Sequence, residues 1–185
     1  MRTLFTAFIY ALGMLGVIGT IGCAGNSESP AAPAAEAPAP SPNEILAVGS
    51  RAPEIKTTDH LGQDVDLAKL RGKKNVVLVF YPGDDTPGCT KQLCTVRDDW
   101  SEFTAKDVAV YGISPQNVDS KKAFAAKFSF PFPLIADPEN KIISAYGAKG
   151  ELYTNRTVYA IDKKGKIAFA ERGMPSTDKI LAALK

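Results

Sequence analysis

Apolar positions along this chain switch between two periods, and the switches outline an order of elements. Glu54 to Thr58, a turn around Leu61-Gly62, and Gln63 to Val65 predict a small hairpin. Asp66 is placed to cap a short helix over Leu67 to Leu70, which Gly72 ends. The run from Asn75 to Tyr81 is continuously apolar and rich in β-branched residues, which predicts a strand buried on both faces. From Cys89 to Phe103 the apolar residues Leu93, Val96, Trp100 and Phe103 recur at helical spacing, so one helix is expected there. Strand and helix then alternate: strand Val108 to Ser114, helix Asp119 to Phe128, strand Pro133 to Ala136, and helix Pro138 to Tyr146, ended by Gly147. Thr157 to Asp162 and Lys166 to Glu171 flank the turn Lys163-Lys164-Gly165, and Ser176 is placed to cap a last helix through Leu184. This alternation predicts an α/β sandwich built on a mixed central sheet.

The first 42 residues follow neither period. Arg2 gives a basic start, and an apolar run from Leu4 to Gly22 closes on Thr20-Ile21-Gly22-Cys23. A positive residue ahead of an apolar stretch ending in small residues reads as a secretory signal over residues 1–22. Its end resembles a bacterial lipobox, with Thr20 where that pattern usually has Leu. The resemblance implies a lipid on Cys23 and attachment to a membrane. An uncleaved anchor and plain cleavage are the alternatives, and all three place the protein in the periplasm or cell envelope, outside the cytoplasm. Residues 23–42 are rich in Pro and Ala, cannot build a core, and read as an extended linker. The folded domain is then expected over residues 43–185.

Composition narrows little. With 45% hydrophobic and 23% charged residues a packed core is expected, and a net charge of +2 is too even to argue for a nucleic-acid partner. The sole histidine, His60, falls in the predicted turn, where exposure is expected, so a site needing several imidazoles is excluded.

The informative segment runs from Tyr81 to Cys94. Cys89 stands in the first turn of a helix that directly follows a buried strand, with Thr86 in a capping position and Pro87 at the first helical position. Unpaired backbone N–H groups and the positive end of the helix dipole favour a thiolate there, and the thiolate is the nucleophile.

The pattern Pro82-x-x-x-Thr86-x-x-Cys89 resembles the active-site signature of peroxiredoxins, and a second cysteine at 94, with Val96-Arg97-Asp98 beyond it, resembles the bacterioferritin comigratory protein (Q-type) branch. That resemblance extends in element order over residues 45–185 and implies a thioredoxin-like sandwich. It implies that Cys89 attacks a peroxide, that Cys94 resolves the resulting sulfenic acid as a disulfide, and that Thr86 hydrogen-bonds the peroxide. It also implies that Pro82 shields the sulfur and that an arginine completes the pocket. Arg156, just before the strand Thr157 to Asp162, is the candidate. A guanidinium stays charged and offers several donors, which suits a reaction that develops negative charge on sulfur and oxygen. The implied substrates are hydrogen peroxide and organic hydroperoxides, and the implied reductant is thioredoxin or a thioredoxin-like dithiol protein. No metal or organic cofactor is implied, and the protein is expected to be a monomer. Arg97, Asp98, Trp100 and Phe103 are given no chemistry: the charged pair is expected on a solvated helix face and the aromatic pair in the core.

Cys94 sets a geometric problem. Five residues of α-helix separate Cα atoms by nearly 9 Å, beyond the roughly 7 Å that a disulfide spans. The first helical turns must therefore unwind before Cys94 meets Cys89. Three rival readings remain at this point: a membrane-tethered thiol-disulfide oxidoreductase, whose cysteines would have two residues between them instead of four, a copper-delivery module, which would need a histidine near the pair, and a non-catalytic scaffold, which would leave the Pro/Thr/Cys spacing unexplained.

Overall fold

Residues 43–184 are described by a computed structural model. The expected signal segment, Cys23, the linker and the final Lys185 lie outside them.

A hairpin of β1 (Lys56–Thr58) and β2 (Asp64–Asp66) leads into the single-turn α1 (Leu67–Leu70). The Asp66 carboxylate accepts the Ala68 N–H at 2.9 Å and so caps that turn, as expected. Next come β3 (Asn75–Phe80), α2 (Pro87–Asp98), α3 (Trp100–Ala105), β4 (Val108–Ser114), α4 (Val118–Phe128) and β5 (Leu134–Ala136). The chain ends with α5 (Lys141–Ala145), β6 (Thr157–Ile161), β7 (Ile167–Arg172) and α6 (Thr177–Ala182). Five strands form one sheet in the order β5-β4-β3-β6-β7, with β3, β4 and β5 parallel and β6 and β7 antiparallel additions. The expected mixed sheet is therefore present.

All six residues of β3 are buried, because the alternation of its side chains serves two cores. Val77, Val79 and then Tyr81 pack with Leu93 of α2, Phe103 of α3, Phe124 of α4 and Ile180 of α6. Val76, Leu78 and Phe80 face the opposite way, onto Leu67, Ile143 and Tyr146. A strand covered on both faces needs an unbroken apolar run, which is the signal its sequence carried.

Four expectations are corrected. The helix expected from Cys89 to Phe103 is two helices broken at Asp99, whose carboxylate accepts the Thr177 hydroxyl of α6 at 2.6 Å. The helix expected from Pro138 shrinks to α5, because the Asp137 carboxylate accepts the N–H groups of Lys141 and Ile143 and starts the helix after the turn. His60 is not exposed. Only 6% of it reaches solvent, its backbone N–H donates to the Leu134 carbonyl at 2.8 Å, and its ring Nδ1 accepts the Leu134 N–H at 3.1 Å. The ring thus docks the hairpin onto the edge strand β5, in a role that turn composition could not reveal. Arg97 is also less free than expected, since Nη1 donates to the Phe128 carbonyl at 2.9 Å and ties the end of α2 to the end of α4.

Candidate active site

Parallel strand β3 delivers the chain, through Pro82 to Thr86, to the start of α2. Thr86 has the extended backbone of an N-cap and Pro87 follows at the first position, as the sequence predicts. The cap is incomplete, however. The Thr86 hydroxyl donates backwards to the Gly83 carbonyl at 3.2 Å and makes no bond to the helix. The first helical bond runs from the Thr90 N–H to the Thr86 carbonyl at 2.8 Å. The N–H groups of Gly88 and Cys89 therefore have no partner within the helix and aim outward from its positive end.

Cys89 is fully buried among Tyr81, Leu93 and Val158. One cation reaches it: Arg156 Nη2 donates to Cys89 Sγ at 3.4 Å. Strand register explains the meeting. β6 runs antiparallel to β3 with Thr157 opposite Phe80, so Arg156 lies one step on, beside the exit of β3 from which α2 departs. Arg156 is 67 residues from Cys89 along the chain, and only this antiparallel addition brings the two together.

The guanidinium is itself held. Nη1 donates to Gln92 Oε1 at 2.5 Å, and Gln92 Nε2 donates to the Gly173 carbonyl at 3.5 Å. The Gly173 N–H closes the circuit on the Arg156 carbonyl at 2.8 Å. Gly173 has φ +99, which a glycine adopts at little cost. Gly88 contributes by lacking a side chain, since a Cβ there would stand 3.2 Å from Arg156 Nη2. Neither Gln92 nor Gly88 was singled out by sequence reasoning. Gln92 could have been, because three residues beyond Cys89 on a helix share its face. Arg172 of β7, the register partner of Thr157, points elsewhere, to the carbonyls of Asn43 and Gly147 at 2.9 and 3.1 Å.

The remaining candidates are placed as follows. Pro82 is half-buried at the start of the loop, and its carbonyl accepts from Gln116 Nε2 at 3.5 Å. Thr86 is exposed beside the helix mouth. Cys94 is on α2 with Cys89, partly buried, and both thiols are free. An intact helix between them holds their Cα atoms about 9 Å apart. His60 has its Nδ1 engaged by β5 and joins no cysteine, which removes the histidine that a copper-carrying reading required.

A fixed positive charge, unpaired amide donors and a buried sulfur together form a site for breaking a polar bond at an electronegative atom.

Comparison with known proteins supplies the reaction. Residues 48–170 match the model of the AhpC/TSA family. The chain is 38% identical over 147 residues to the chloroplastic peroxiredoxin Q of Sedum lineare, covering 74% of this chain and 78% of that protein. Among solved structures, peroxidoxin BcpB of Mycobacterium tuberculosis superposes with a TM-score of 0.68 at 31% identity, over 74% of this chain and 94% of that one. Peroxiredoxin Q of Xanthomonas campestris gives 0.62 at 25%, over 69% and 85%.

Proposed function

This chain belongs to the AhpC/TSA family and is a thiol-dependent peroxidase of the peroxiredoxin Q type, and from that premise we propose that Cys89 is its attacking thiol and Cys94 its resolving one. The observation that carries the assignment is the 3.4 Å contact from Arg156 to Cys89 Sγ. The Cys89 thiolate attacks the terminal oxygen of a hydroperoxide. The S–O bond forms as the O–O bond breaks, and the departing alkoxide or hydroxide takes a proton to leave as alcohol or water. Arg156 and the amides of Gly88 and Cys89 meet the charge that develops along the S–O–O line. The Thr86 hydroxyl, at the open end of the helix, orients the peroxide, and Pro82 shields the sulfur from bulk water.

The second step joins Cys94 to the sulfenic sulfur. The S–S bond forms, the S–O bond breaks, and the hydroxyl leaves with the Cys94 proton as water. It requires the first turns of α2 to unwind, and the missing side-chain cap lowers the cost, since a good cap is worth about 1 kcal/mol. A thioredoxin-like dithiol protein then reduces the disulfide and is itself oxidised. Both thiols belong to one helix of one chain, so a monomer is complete. A lipid on Cys23 would hold the domain outside the cytoplasm, and the mass of the mature N-terminus tests that attachment.

Mixing reduced protein with one equivalent of hydrogen peroxide tests the site. Two thiols should disappear in the native protein, none in Cys89→Ser, and one in Cys94→Ser, with a trappable sulfenic acid. Undiminished thiol loss in Cys89→Ser would overturn the assignment.

A further inference from the structure

Behind the loop that precedes α2 lies a charged pair that the reaction does not use. The Lys121 side chain on α4 has no exposure to solvent and that of Asp84 only 3%, and Lys121 Nζ reaches both carboxylate oxygens, at 2.9 and 3.1 Å. Asp84 also accepts the Tyr81 hydroxyl and the Ser120 hydroxyl, each at 2.7 Å, and Lys121 contacts the Ser114 hydroxyl. Burial pushes the Lys121 ammonium down from its usual value while the neighbouring carboxylate raises it. Burial, helped by the same carboxylate, holds the Tyr81 phenol well above its usual range, so Tyr81 stays a donor. Both carboxylate oxygens of Asp84 are therefore engaged, from Ser114 of β4, from α4 and from Tyr81 at the end of β3. The next residue, Asp85, takes a left-handed φ of 56 and pairs with Lys127 of α4 at 2.6 Å across an exposed surface. Gln116 completes the hold through the Pro82 carbonyl.

A buried ion pair is a poor source of net stability, because desolvation offsets the attraction. What it does supply is fixed geometry, and this one fixes the backbone two residues before Thr86. We propose that Asp84 and Lys121 are positioning residues that clamp the Pro82–Thr86 loop onto α4. With the clamp in place, the first turn of α2 unwinds from a stationary anchor and rewinds onto the same site in each cycle. The uncapped end of α2 makes that turn easy to open, and the clamp stops the opening from spreading to Pro82 and back into β3. The inference rests on Cys89 being the attacking thiol.

Rapid mixing of reduced Asp84→Asn with peroxide tests it, following sulfenic acid formation and disulfide closure separately. Sulfenic acid formation should slow about tenfold, as expected for reacting groups displaced by a fraction of an ångström, while disulfide closure should be no slower than native. Lys121→Met should behave likewise, and the double variant should be no slower than the worse single one, because both remove the same clamp. Ile143→Ala, buried on the far side of the sheet, should lose thermal stability yet keep the native rate of the first step. Equal first-step rates in Asp84→Asn and native protein would overturn the clamp. So would a parallel slowing in Ile143→Ala, which would mark a merely structural effect. Should the charged variants not fold, Ser120→Ala and Gln116→Ala each remove one tie and should slow the first step by a smaller factor; an unchanged rate in both overturns the proposal. A native protein whose Cys89 ignores peroxide would instead refute the site assignment, which separates the two failures.

Discussion

Helices α2 and α4 leave the carboxyl ends of neighbouring parallel strands, yet their first turns are built to opposite ends. At α4, Asn117 Oδ1 accepts the Ser120 N–H at 2.9 Å and Asp119 lies in the first turn, so free donors and dipole are both answered by the chain. At α2 no side chain caps the helix and no acid lies in the first turn. A helix start satisfied from within is stable and chemically silent. One left unsatisfied has donors for a ligand and a turn that opens readily. The contrast fits the proposed division of labour, with support from α4, which carries Lys121, and reactivity at α2.

The largest expected effect comes from removing the cation on the reactive side. Arg156→Met should lower the second-order rate of peroxide reduction by roughly 10² to 10³, with little change in melting temperature, and stopped-flow kinetics would measure it. A smaller effect follows from giving α2 the cap it lacks. Thr86→Asp should occupy the amide donors and place a negative charge beside the sulfur. Peroxide reduction should then fall about 10-fold to 100-fold while the melting temperature rises; a faster enzyme would contradict the account of the open helix start. The mirror experiment on α4, Asn117→Ala, should cost about 1 kcal/mol of stability and leave sulfenic acid formation within about twofold of native. The smallest effect concerns His60, whose burial lowers its pKa from 6.5 despite the opposing charge of Asp59. Below pH 6.5 the unfolded chain binds a proton that the folded ring resists, so stability falls as the pH drops through and below that value. His60→Asn keeps an acceptor for the Leu134 N–H and should flatten this acid limb of the melting curve.

Much of the site could be read along the chain because it is local. The buried run of β3, the Pro87 start of α2 and the spacing of Pro82, Thr86 and Cys89 all lie within 15 consecutive residues, from Asn75 to Cys89. Arg156 was reached only through the family resemblance, since a strand-end arginine is ordinarily a solvated charge. Gln92 went unnoticed although it shares a face with Cys89, and Asp84 and Lys121 carry no local signal that separates them from charged residues on the surface. His60 looked like a surface residue, because a turn sequence carries no mark of the edge strand that will cover it.

The sequence by itself determined the order of strands and helices, though not every boundary, and which sulfur stands at a helix mouth, because periodicity, caps and proline act over a few residues. Only the tertiary structure decided which arginine meets that sulfur, since the antiparallel register of β6 against β3 brings Arg156 to it, while Arg172 on β7 donates to the Gly147 carbonyl. It also decided that one lysine of α4 is buried against Asp84 while another stays in solvent. Burial and pairing between distant segments are properties of packing, and packing is fixed by the whole chain at once.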